Sequence, residues 1–181
     1  NMVTNEVFID SATLRENVVS LARNIGYLPR SRKAAQATIS FFVDTSSVTP
    51  TPSTIILKKG PVVASQGSFG GSSCVFSILD DITVPVVDNI ATFNNITVHE
   101  GTVLTSNFVF SSRNPNQKFI IPNAGVDTGL LNVTVEPNAN SVNVTQKYNY
   151  SLQDSLLDVK NNSKVFYLQE IEDEQYQIFF G

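Results

Sequence analysis

The sequence predicts a mainly β chain of the α+β kind. An N-terminal helix should lead into an antiparallel β-sandwich or partly open barrel that closes with a hairpin. Three observations predict this. Only 15 % of the 181 residues are charged, while Asn, Ser, Thr, Val, Ile and Phe are plentiful, a composition that suits strands and turns better than helices. Short apolar runs with alternating polarity recur from Ala37 onward, punctuated by Gly, Pro, Asn and Asp. A single stretch near the N-terminus carries helical spacing instead. The length suffices for a sizeable core, and the expected organisation is a helical joint over 1–33 followed by a β-rich domain over 34–181.

The helix is read from its ends and its stripe. Thr13 and Glu16 have capping-box spacing. Leu14, Val18, Leu21, Ala22 and Ile25 fall on one face. Gly26 suits the left-handed position after a helix, and Pro29 prevents its continuation. Five apolar side chains, at roughly 1.5–3 kcal/mol each for full burial, demand a partner surface, and so short a helix is marginal alone in water. Val3, Val7 and Phe8 suggest the tail of an earlier helix. Leu14, Val18, Leu21 and Ile25 are therefore candidate interface residues. The basic group Arg23, Arg30, Arg32 and Lys33 joins them, with two readings left open. It complements the negative end of the helix, or it forms a docking edge for an acidic neighbour, where arginine favours planar ion pairs.

The strands follow in order. Ala37, Ile39, Phe41 and Val43 alternate with polar residues, Phe42 being an apolar intruder on the outer face. Thr54–Leu57 is a strand ended by Lys58-Lys59-Gly60-Pro61, and Gly67–Ser72 is a loop. Further runs are Val75–Leu79, Ile82–Val87, Ile96–His99, Val103–Phe110, Phe119–Ile121 and Leu131–Val135, with Glu100-Gly101 as a tight turn. Tyr148–Asp158 reads as a strand followed by a helical turn around Leu156-Leu157. Val165–Glu170, the acidic turn Glu172-Asp173-Glu174, and Tyr176, Ile178 and Phe180 make the closing hairpin.

Composition excludes several functions. The formal charge of −4 argues against a nucleic-acid surface, which needs a basic excess. No apolar run reaches the eighteen or so residues of a membrane helix. The lone Cys74 rules out an internal disulfide and reads as a buried thiol sharing a strand face with Phe76 and Ile78. The lone His99 has no Gly-x-Ser-x-Gly elbow to serve, and with one His and one Cys a zinc site is not expected. Asp80, Asp81, Asp88, Glu170, Glu172, Asp173 and Glu174 lack calcium-loop spacing and read as solvated turns. Gly67–Gly71 is no phosphate loop. Sequons at Asn95, Asn132, Asn143, Asn149 and Asn161 occur at the level chance gives in so Asn- and Ser-rich a chain. No catalytic, cofactor or metal residue is expected, and no enzymatic activity.

Three blocks carry a family resemblance. Asn5–Ala12, Leu14–Ser20 and Gly26-Tyr27-Leu28-Pro29-Arg30-Ser31 form the first; Gln117–Asn123 with Val126-Asp127-Thr128 the second; Val165–Glu170 with Tyr176–Gly181 the third. Together they resemble the baseplate wedge protein of T-even-type contractile-tailed phages, within the baseplate J-like group. Pro50–Gly71 and Asp80–Asn95 depart from it. The resemblance implies a structural virion protein, assembled in the host cytoplasm. Its partners would be other wedge subunits and a second copy of itself, with no nucleic acid and no membrane. It would help form the ring around the tail hub and take part in sheath contraction. It also implies that the chain is an internal piece of a longer polypeptide, stopping within a Phe-Gly-Asp-Gly turn. The alternative from composition is a β-sandwich carbohydrate- or receptor-binding module of a virion or cell surface, resting on Tyr148, Tyr150, Tyr167 and Tyr176.

Overall fold

The computed structural model describes residues 6–25, 31–64, 73–114, 116–136, 147–153, 159–160 and 162–181. It is mainly β with two sheets, one of them a curled half-barrel. The chain packs as two compact units. One is contiguous, Ala34–Thr105; the other combines Asn1–Lys33 with Ser106–Gly181. The boundary read after Lys33 thus marks the start of the contiguous unit, and a second boundary follows Thr105.

The contiguous unit holds strands β1 (Gln36–Asp44), β2 (Thr54–Leu57), β3 (Gly60–Ala64), β4 (Val75–Ile78), β5 (Ile82–Val87) and β6 (Ile90–Glu100). All pairings in it are antiparallel. β2 and β3 run in nearly constant register against β5 and β4, from Thr54↔Pro85 to Ala64↔Val75, so the four form one long, interrupted hairpin. β1 covers β6 from Gln36↔His99 to Asp44↔Ile90. β4 and β5 therefore share the other edge of β6, at its opposite ends.

Two local features make this meander possible. Asp88 and Asn89 both have positive φ, 50° and 62°, which two-residue hairpin turns of the twist-compatible type require and which Asn and Asp tolerate. Asn95, at φ 54°, lies where the register with β1 shifts between Ile39 and Phe41. The surplus residue is on β6, and the Asn95 amide donates to Ser40 Oγ at 2.9 Å. Ile78, Ala91, Phe93, Ile96 and Val98 form the core, with Phe93 stacked on Phe41 at 4.9 Å. Phe42 is 69 % exposed on the outer face.

The second unit contains α1 (Arg15–Asn24), β7 (Phe119–Ile121), a 3₁₀ turn (Thr128–Leu130), β8 (Val133–Val135), β9 (Tyr148–Leu152), β10 (Val165–Glu170) and β11 (Tyr176–Phe180). The sheet order is β7-β11-β10-β9-β8. Its core is Ile121, Val133, Phe166, Tyr176 and Ile178. The closing hairpin forms as expected, Phe166↔Phe180 to Glu170↔Tyr176. Asp173 and Glu174 in its turn sit at positive φ, 58° and 57°.

Several expectations are corrected. The sheet is not wholly antiparallel: β9 and β10 pair in parallel, Val165↔Ser151 and Phe166↔Leu152, because the connection after Leu152 is long enough for a crossover. Val103–Phe110 is not a strand of either sheet; it is irregular and largely exposed. Residues 6–11 form turns, with Ser11 and Ala12 donating to the Phe8 carbonyl; the earlier helix expected from Val3, Val7 and Phe8 would begin among residues outside the described ones. Cys74 is half-buried and precedes β4; its hydrogen bond to Glu100, then burial, raise the thiol's pKa. β3 and the first half of β6 were not anticipated. Gly67–Ser72, Val3 and Gly26–Arg30 lie outside the described residues, as does most of Gln153–Asp158.

Candidate protein interface

α1 is started by a residue that no local motif announces. Glu6 Oε1 accepts the Thr13 N–H at 3.0 Å and the Thr13 hydroxyl at 2.7 Å. Its Oε2 accepts the Leu14 N–H at 3.3 Å and the Asn17 side-chain amide at 2.8 Å. A carboxylate thus lies at the positive end of the helix and holds the two amides that precede Arg15; of the capping box read in the sequence, the Thr13 hydroxyl donates to Glu6, and the Glu16 side chain lies outside the described residues. Hydrogen bonds from Asn17 and Thr13 lower the Glu6 pKa to about 2.

The docked face of α1 differs from the stripe read in the sequence. Val19 and Ala22 are the buried residues, Val18 and Leu21 half-buried, while Leu14 and Ile25 at the two ends are 49 % and 76 % exposed. The centre of the helix packs and its ends face solvent. Arg15 sits four residues before the buried Val19, so its side chain leaves from the docked face.

That arginine reaches the far end of the chain. Its Nε donates to Glu170 Oε1 at 2.9 Å, and a terminal nitrogen lies equally close. Glu170 is the last residue of β10, with a side chain only 5 % exposed. The same Arg15 stands 4.0 Å from Glu174 in the hairpin turn, and Arg32 bonds Glu174 Oε2 at 3.3 Å. Beside them the Thr128 N–H and hydroxyl both donate to Ser31 Oγ, at 2.9 and 2.8 Å. Ser31 Oγ in turn donates to the Arg32 carbonyl. Thr128 is presented by a turn that Asp127 fixes, its side chain accepting from Gly129 N–H.

Arg15, Ser31, Arg32, Ala124, Glu174 and Tyr176 line an open cleft of about 260 Å³. Within it the charges alternate. The Glu170 carboxylate raises the Arg15 pKa above its ordinary value, and burial, then Glu170, raise that of Tyr176. A guanidinium held between carboxylates neither gives nor takes a proton near neutral pH; it orients and joins what it touches. Among the described residues no group of three His, Cys, Asp or Glu could hold a metal ion. The geometry suits holding elements together.

Of the eight candidate residues, Leu14 and Ile25 are exposed, Val18 and Leu21 belong to the docked helix, and Arg32 joins the ion-pair cluster. Lys33 is exposed. The side chains of Arg23 and Arg30 lie outside the described residues. Sequence reasoning missed Glu6, Arg15, Val19, Ser31, Thr128, Glu170 and Glu174 as interacting residues. Arg15 and Val19 lie on the helix itself, and a wider reading of its apolar face would have found Val19. The remaining polar partners have no local signal.

No protein-family model and no curated protein matches this sequence.

Proposed function

We propose that the chain is a structural component of a contractile-tail baseplate wedge, acting through protein–protein contacts in ring assembly and sheath contraction. One observation supports this most. The three sequence blocks that resemble the wedge protein are separated by up to 155 positions at their contacts, as in Arg15 to Glu170, yet all three fall in the discontinuous unit. Two pairs join them there: Arg15 with Glu170 and Ser31 with Thr128. The two stretches that depart from the resemblance, Pro50–Gly71 and Asp80–Asn95, both fall in the contiguous unit. Unrelated apolar strands that matched by accident would have no reason to sort this way.

In this reading the discontinuous unit carries the wedge role, and the exposed ends of the α1 stripe, Leu14 and Ile25, meet neighbouring wedge subunits. The contiguous unit is an elaboration inserted between its halves. The β-rich part, arranged as a sandwich or partly open barrel, serves as a rigid spacer. The glycan-binding alternative gains no support from its own residues. Tyr176 is buried, Tyr150 packs edge-on against Phe180 at 5.4 Å, and Lys164 covers the Tyr148 ring at 3.6 Å.

Antibodies against the chain should decorate the baseplate end of contractile tails in negative-stain micrographs. Decoration of the capsid or the tail fibres would overturn the proposal, as would intact baseplates assembled in the absence of the gene product.

A further inference from the structure

An open strand edge and a strand without a sheet occur in the same chain. Sheet edges are usually blunted by shortness, lysine or proline. Three of the four edges here follow that rule. β7 and β8 are three residues each, and the β2–β3 edge carries Lys58, Lys59 and Pro61. β1 does not. It spans nine residues, pairs among the described residues with β6 alone, and has no charge and no proline from Gln36 to Val43. The bulge beside it lies on β6, so the outer edge of β1 stays regular.

Thr102–Phe110 is the complementary element. It has no charge, no glycine and no proline. Among the described residues none of its backbone groups bonds to another backbone group; the Val109 carbonyl takes the Gln117 side-chain amide at 2.6 Å instead. In extended form Leu104, Ser106, Phe108 and Phe110 fall on one face and Val103, Thr105, Asn107 and Val109 on the other. Leu104 and Phe110 are 67 % and 73 % exposed. The nine residues Thr102–Phe110 match the nine of β1 in length, and their Leu104, Phe108 and Phe110 suit its inner row of Ile39, Phe41 and Val43.

We propose that Val103–Phe110 of one copy adds as a strand to the β1 edge of a second copy, reciprocally, giving a twofold dimer by strand exchange. The occupant is a second copy because both unfinished elements are supplied by one chain, and each offers backbone groups to the other; Phe108 already packs edge-on against Phe119 at 5.8 Å, which leaves Leu104 and Phe110 as the free apolar side chains of that face. The proposal names the surface by which copies associate in the reading above. It is tested on the purified full chain, so it can fail while baseplate labelling succeeds, and the reverse.

The test is sedimentation velocity of the wild type and two variants at exposed positions, Ala37→Lys on the β1 edge and Phe110→Lys on the segment, each checked for native circular dichroism. Wild type should sediment at twice the monomer mass and both variants as monomers. An equimolar mixture of the two variants should regain dimer, because the Ala37→Lys chain still offers its segment and the Phe110→Lys chain its edge. A monomeric wild type would overturn the proposal. So would a dimeric Phe110→Lys variant, which would mean β1 pairing with β1, or a mixture that stays monomeric.

Discussion

The two units reach similar cores by opposite routes. In the contiguous unit, neighbours in space are neighbours in sequence: β5 turns into β6 through two residues, and β2–β3 folds back on β4–β5 as one hairpin. The discontinuous unit must bring the chain ends together. Its defining bonds span 97 residues from Ser31 to Thr128, 142 from Arg32 to Glu174 and 155 from Arg15 to Glu170. Closing such loops costs entropy before any contact repays it. The first unit has an ion pair of its own, Lys58 to Asp81 at 2.7 Å, but between positions its hairpin already brings together. The second adds charge-assisted bonds, which lock register and orientation at points where the local sequence dictates neither.

The chain carries its own means of separating the two. It has no Trp, and all five tyrosines, Tyr27, Tyr148, Tyr150, Tyr167 and Tyr176, belong to the discontinuous unit. Tyrosine emission therefore follows that unit, while far-UV circular dichroism follows both. The sharpest contrast comes from two core truncations. Phe93→Ala and Phe166→Ala each remove a ring that is 1 % exposed, at about 3–5 kcal/mol. In urea titrations Phe166→Ala should shift the tyrosine transition. Phe93→Ala should split the dichroism transition and leave tyrosine emission in place. Equal shifts by both probes in both variants would erase the distinction between units.

Arg15→Met comes next. It strips the buried Glu170 carboxylate of its guanidinium, and hydrogen bonds to charged groups contribute about 1.5–3 kcal/mol. Arg15 is half-exposed, so the loss should fall near the lower figure, in the tyrosine transition alone. Thr128→Val removes a hydroxyl bond to Ser31 and should cost about 0.5–1.5 kcal/mol in the same transition. A shift in the contiguous unit instead would misplace both contacts.

The smallest effect is the acid response of the helix cap. The folded Glu6 pKa is lowered from 4.5 to about 2. Its contribution is therefore present above about pH 4.5 and is lost as pH falls through about 2. Helical dichroism should decline over that range in the wild type more than in Glu6→Gln, which lacks the titrating group. Identical acid profiles would remove Glu6 from the cap.

What could be read from the sequence divides along the same line. Thr54–Leu57, Ile82–Val87, Phe119–Ile121 and Val165–Glu170 are strands to the residue, because alternation between buried and exposed faces is a local property. β3 was missed because Gly60-Pro61 reads as a breaker, although proline is admissible on an edge. The first half of β6 was missed because Asn94-Asn95 reads as a loop where it forms a bulge. Val103–Phe110 was read as a strand from its residue types, which say nothing of whether a partner is at hand. Of the candidate interface, the helix and Arg32 were legible. Glu6, Thr128, Glu170 and Glu174 were not, because an ion pair spanning most of the chain leaves no trace in spacing.

The central claim is that the N-terminal helix folds with the C-terminal third of the chain and not with the strands that follow it directly. Native-state hydrogen exchange by NMR on Phe93→Ala tests it most directly. The amides of Ala91 and Val98 should exchange far faster than in wild type, while those of Ala22 and Ile178 keep their wild-type protection. Loss of protection at Ala22 together with Val98, with Ile178 unchanged, would contradict it.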